Sequence, residues 1–232
     1  MWERRTDLAA ESVDLAKKQK KFLEKEGVLL RERICGGFPI TEVEIVESTA
    51  ANAIGKPVGR YVTMEVRQLR DRFSTAVEIL GEELRSLLPR DAKSVLVLGL
   101  GNGELTADAI GPLAVGHILP TRHLRDIPFP AALSVCGTEV VGKTGIEAAE
   151  QAAALTKTLG AEAVILIDAL AALAAERLCT TVQLSDSGLT PGSGVGNHRM
   201  ALNRETLGVP VIAVGVPTVV ESGSLVMDLL EE

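Results

Sequence analysis

The sequence is poor in aromatic residues, 3% of its 232 positions, and holds only three cysteines and three histidines. So few rings leave little with which to stack nucleic-acid bases. A formal net charge of -7 argues further against wrapping a phosphate backbone, so no nucleic-acid partner is expected. Cys35, Cys136 and Cys179 lie far apart without a C-x-x-C pair, which indicates neither a disulfide framework nor a zinc ribbon. No apolar run approaches the roughly 18 residues of a membrane span. The richest, Ala163 to Ala175, carries Asp168 in its middle. The N-terminus, Met1-Trp2-Glu3-Arg4-Arg5, lacks the apolar stretch of a signal peptide. A soluble protein of a reducing cytoplasm, with no membrane contact, is the expectation.

What is abundant is core material. Hydrophobic residues make up 46% of the chain and charged residues 24%, enough to bury a sizeable interior. Residues 6–26 read as a helix, with Thr6 or Asp7 as cap, Leu8, Leu15 and Phe22 spaced by seven, and Gly27 as stop. The alternations around Val43–Val46 and Tyr61–Val66 predict strands separated by a turn at Gly55–Gly59. Val66, Leu69, Phe73, Val77, Leu80, Leu84 and Leu87 then mark an amphipathic helix that Pro89 stops.

From residue 94 apolar runs alternate with helical patterns. The runs are Ser94–Leu100, Ala132–Cys136, Ala163–Ile167, Thr181–Leu184 and Val209–Val216. Thr144 and Glu147 suggest a capping box opening a helix that Gly160 closes. Such alternation predicts an α/β fold: a mostly parallel twisted sheet with helices on both faces. The chain reads as one domain over residues 1–232, an N-terminal α+β elaboration (1–90) before an α/β core (91–232).

In a parallel sheet, functional groups gather at the carboxyl ends of strands. Gly99-x-Gly101-x-Gly103 departs from the dinucleotide fingerprint, because Glu104 would set a carboxylate against a pyrophosphate. Asp108 and Asp168 both follow buried runs, so adjacent strands would bring them to one rim. Each could instead cap a turn or helix, Asp168 one through Ala169–Arg177. As a pair, one acid would hold a proton while the other deprotonates a water. The glycine-rich segment Ser185–Asn197 lacks a P-loop ending and suggests a backbone surface for a substrate chain, with Asp186 a further carboxylate or a turn former. There is no G-x-S-x-G elbow or H-E-x-x-H spacing, and His117, His123 and His198 are scattered. Neither cofactor nor metal is expected.

Longer strings are more specific. R-T-D-L-A (Arg5–Ala9), G-K-P-V-G-R-Y-V-T-M-E (Gly55–Glu65), G-L-G-N (Gly99–Asn102), D-A-I-G-P (Asp108–Pro112), T-R-H-L (Thr121–Leu124), I-D-A-L-A-A (Ile167–Ala172), S-G-L-T-P-G-S-G-V-G-N (Ser187–Asn197) and the run Glu205–Val220 occur in order. In these the chain resembles the bacterial spore germination endopeptidases. The resemblance implies an atypical aspartic endopeptidase that degrades small acid-soluble spore proteins in the spore core, made as a zymogen and assembled as a homotetramer. It places the essential aspartates at Asp108 and Asp168, and relates the fold to hydrogenase maturation endopeptidases, whose corresponding carboxylates contact a metal. Only four residues precede Arg5 where the family carries a longer pro-segment, so no large N-terminal processing is expected. The chain also stops short of the family's C-terminal extension, and Leu173-Ala174-Ala175 is less polar than the family stretch. A metal-dependent maturation-type peptidase and a non-catalytic peptide-binding module are the alternatives.

Overall fold

The computed structural model describes residues 5–18, 27–124, 126–196, 199–220 and 225–226. The chain opens on helix α1 (Ala9–Lys18), then strands β1 (Val28–Cys35) and β2 (Phe38–Ile45), helix α2 (Ser48–Ile54) and strand β3 (Gly59–Glu65). Helix α3 (Phe73–Leu87) leads to β4 (Ser94–Gly99), the short α4 (Ile110–Val115), β5 (Ala132–Gly137), α5 (Val141–Thr144) and α6 (Ala148–Leu159). Strands β6 (Ala163–Ala172) and β7 (Thr181–Ser185), helix α7 (Arg204–Leu207) and strand β8 (Val211–Val220) complete it.

All eight strands join one sheet in the order β1-β2-β3-β7-β8-β6-β4-β5. The expectation of a mostly parallel sheet is wrong. Four of the seven pairings are antiparallel (β1–β2, β2–β3, β3–β7, β7–β8) and three are parallel. The N-terminal strands β1 to β3 extend the same sheet. Two glycines with positive φ, Gly36 and Gly37, form the tight turn that reverses β1 onto β2. β7 then doubles back between β3 and β8 and joins the two halves.

Packing follows the pleat. Leu96 and Leu98 of β4 pack with Ala149 and Ala152 of α6, while Val95 and Val97 meet Leu84 of α3 and Val115 of α4. Among the N-terminal strands, Phe38, Ile40, Val62 and Met64 bury against Ala76 and Ile79 of α3. That helix begins at Phe73, not Val66, and residues 19–26 of the predicted first helix lie outside the described residues. Thr144 ends α5 instead of opening α6; the bond at the start of α6 runs from the Glu147 N–H to Glu150 Oε2 (3.0 Å). Gly160, with φ +60°, closes that helix as expected.

One close approach fixes how α4 sits on the sheet. A Cβ on Gly111 would collide with the carbonyl oxygens of Leu100 and Ile167. The Gly111→Ala variant is therefore expected to lose at least about 2 kcal/mol of stability in urea unfolding. Gly142→Ala, whose added methyl meets nothing within 4 Å, should unfold like the parent.

Candidate active site

The site forms where β4 parts from β6. Their ladder ends at Gly99 opposite Ile167, and the Leu100 N–H still donates to the Ile167 carbonyl (2.8 Å). One residue on, Asp168 lies inside β6, opposite Gly215 of β8. Asp168 caps no helix, because Ala169–Ala172 continue the ladder with Val216–Val220 past a register shift after Leu170. The expected helix over Ala169–Arg177 is absent; the end of β6, to Ala172, and a 3-10 turn at Ala175–Arg177 take its place. An alanine-rich stretch reads as helix by composition, but the ladder to β8 decides it.

Asp108 ends a 3-10 turn, Thr106–Asp108, in the loop that leaves β4. Its Oδ2 accepts the Asn102 N–H (2.8 Å), and Thr218 of β8 donates its hydroxyl to the Ala107 carbonyl (2.6 Å), tying the turn to the sheet. Gly101, at φ +113°, lets the loop close on this acid: a Cβ there would stand 2.8 Å from Asp108 Oδ1. Gly101 thus makes room for a carboxylate, while Gly99 gives way to the Gly111 carbonyl.

The two acids feel one another. Asp168 is 7% exposed. Burial pushes its carboxyl up to about 7, the Ala169 N–H (2.9 Å) opposes this, and the negative charges of Asp108 and then Asp7 add to the rise. Asp108 is half-buried. Two acids placed so that the charge of one raises the pKa of the other are an arrangement that can serve general acid–base chemistry.

Sequence reasoning missed what surrounds the end of β6. Asp7 Oδ2 accepts the Ala171 N–H (2.9 Å), its N–H donates to the Ala171 carbonyl (2.8 Å), and its Oδ1 accepts the Ser193 hydroxyl (2.7 Å). Buried Glu11 accepts the Leu173 and Ala174 N–H groups at 2.8 and 3.1 Å. Lys56, its ammonium pKa lowered by burial, donates to the Thr6 carbonyl (2.8 Å). The signal lay in R-T-D-L-A and G-K-P-V-G, strings with no periodicity to explain them. Gly194 abuts Asp7 and Gly196 abuts Arg5, so this part of the glycine-rich loop packs on the chain's own N-terminal segment. Asp186 stands apart, accepting the Arg60 N–H (2.7 Å) where β3 and β7 meet. His117 and His123 are exposed and His198 lies outside the described residues.

The germination protease family model covers residues 5–231. This chain belongs to the germination protease family. Germination protease of Clostridium perfringens is 40% identical over 245 residues, covering all of this chain and 74% of that protein. The Caldanaerobacter subterraneus protein is 42% identical over 238 residues, covering 98% of this chain and 72% of its own length. The Priestia megaterium protein is 42% identical over 247 residues, covering 98% and 66%. Family membership makes the chain a protease, so the acid pair is to be judged against peptide hydrolysis. No three His, Cys, Asp or Glu side chains converge as a metal-binding group among the described residues, and two acids fall short of the three or four protein ligands of a zinc site. No helix among them is long and apolar enough to cross a membrane.

The raised pKa of Asp168 has a consequence for stability. The folded state holds this proton more tightly than the unfolded chain, whose carboxyl titrates near 3.8. The stabilisation is full below that value and is lost as pH rises towards about 7. Asp168→Asn, which never ionises, should therefore unfold at higher denaturant than the parent at pH 8, the gap closing below about pH 4. Equal midpoints at pH 8 would count against a buried acid.

Proposed function

We propose that this chain is an endopeptidase of spore germination that cuts small acid-soluble spore proteins, with Asp108 and Asp168 acting on one water. The observation that carries the reading is a buried acid with its carboxyl raised to about 7 beside a second carboxylate held by the Asn102 N–H. The Asp108 carboxylate takes a proton from the water as its oxygen attacks the scissile carbonyl carbon. Asp168 donates its proton to the carbonyl oxygen, so no full negative charge builds there. When the intermediate collapses, Asp108 passes its proton to the leaving nitrogen and Asp168 recovers its own from the hydroxyl. Both acids end as they began. The Thr218 bond and the close packing of Gly101 support this role by holding Asp108 before substrate arrives. Resemblance to the spore endopeptidases supports two further parts of the reading, work in the spore core and assembly into a homo-oligomer.

Asp108→Asn and Asp168→Asn keep size and most hydrogen bonding but cannot ionise. Each should cost several powers of ten in the rate of cutting an acid-soluble spore protein, and the double variant little more, since groups acting as a unit are not additive. Variants with a native circular-dichroism spectrum and near-normal rates would sink the pair. The parent rate should also fall as pH rises past about 7, where Asp168 loses its proton. Activity lost to a chelator and restored by zinc or nickel would favour a metal-dependent peptidase instead.

A further inference from the structure

A protease must hold an extended chain across its acids, and part of one edge of this sheet is open to do so. We propose that the outer edge of β5, from Val135 to Gly137, binds an extended segment of the polypeptide substrate, which adds to the sheet as one more strand. The proposal rests on the peptidase reading above and supplies its substrate-binding surface.

The ladder shows which groups are free. Ala132 and Thr138 donate their N–H groups to the Lys93 and Gly99 carbonyls, so even-numbered residues of β5 face β4. Odd-numbered residues face outward. At Leu133 the chain already supplies a partner: the Thr121 and Arg122 N–H groups donate to its carbonyl (3.0 and 3.1 Å), and its N–H donates to Thr121 Oγ1 (2.9 Å). Beyond that the cover stops. Among the described residues, no backbone partner faces the outward groups of Val135 and Gly137; the Gly137 carbonyl accepts the Cys136 thiol (3.2 Å), a weak donor that a backbone N–H can replace.

Two features fix the occupant. An open groove of about 680 Å³ runs beside this edge, lined by Pro120, Arg122, His123 and Leu133–Val135. Arg122 has no ion-pair partner among the described residues, so it favours a segment with an acidic side chain at that point. The edge is also continuous with the candidate site: β5 ends at Gly137, and Thr138 is bonded to Gly99 at the mouth of the loop that carries Asp108. The sheet's other edge is unlike this one. β1 sets Arg31, Glu32 and Arg33 along its length, the charged pattern that discourages strand addition, whereas Ala132–Gly137 carries no charge.

The geometry sets the distance from the chemistry. With strands ~4.8 Å apart, an added strand would lie roughly 14 Å from β6, about four residues of extended chain. The paired segment should therefore begin about four residues from the scissile bond.

The test uses the full chain and a synthetic peptide of about sixteen residues spanning a bond it cuts in an acid-soluble spore protein, each backbone nitrogen methylated in turn. Methylation at alternate positions beyond about the fourth residue should raise KM tenfold or more at unchanged kcat, with the positions between tolerated. Uniform tolerance there would overturn the proposal. In parallel, hydrogen exchange on Asp168→Asn with the unmodified peptide should slow at the Val135 and Gly137 amides. Exchange unchanged there, or slowed along β1 instead, would also overturn it. Val135→Pro, which removes the outward donor at an edge where proline is tolerated, should raise KM for the same peptide. If that variant does not fold, the methylation scan on the parent still decides. An Asp168→Asn protein that cuts the peptide at the parental rate would defeat the aspartate reading and leave the edge result standing.

Discussion

A carboxyl group withdrawn from water resists ionisation, and the centre of this molecule is arranged around one such group. Asp168 sits in the interior of β6, and the cost of charging it there is the largest influence on its state. Only one of the neighbouring strands stays paired to β6 at this point. β4 stops one residue short, at Gly99, and its loop returns with Asp108. β8 stays paired and offers Gly215 opposite the acid. On the far side Asp7, just before α1, and Glu11, in its first turn, accept the backbone N–H groups of Ala171, Leu173 and Ala174. The raised pKa of Asp168 is thus a property of three strands, a loop and the N-terminal segment together.

The mixed sheet explains how that N-terminal segment comes to the site. Strands β1 to β3 join the sheet through β7, which sits beside β8. This carries Lys56, in the turn before β3, to the Thr6 carbonyl, and brings Gln183 of β7 to donate to the Asp7 carbonyl (3.0 Å). A separate N-terminal unit would have left these groups in water.

Much of this was legible in the chain. Each of the five apolar runs after residue 94 holds a strand, β4 to β8, because buried strands write themselves as short unbroken apolar stretches. β4, β5 and β7 lie within a residue of their runs, whereas β6 continues five residues past Ile167 to Ala172 and β8 is shifted to Val211–Val220. Asp108 and Asp168 were visible as acids placed just after such runs. Strand direction was not. A run such as Thr181–Leu184 looks the same whichever way it pairs, and the pairing of β7 with β3 depends on residues far away in sequence. β1 was invisible for another reason: six of its eight residues are exposed, so no alternation betrays it. The clamp of Asp7, Glu11 and Lys56 follows no period either. Buried charges reveal themselves through partners, and partners appear only in three dimensions.

The antiparallel insertion of β7 also bears on how the chain reaches its fold. Tyr61 on β3 and Ser187 just past β7 share a hydrogen bond although they stand 126 positions apart. Loops of that length close slowly, and the pairing cannot begin until most of the chain exists. The hairpins made by β1, β2 and β3 must therefore wait, with one flank open, while the later strands are synthesised. The same strand that unites the sheet leaves its first three strands dependent on the chain's own second half for the partner that shelters β3.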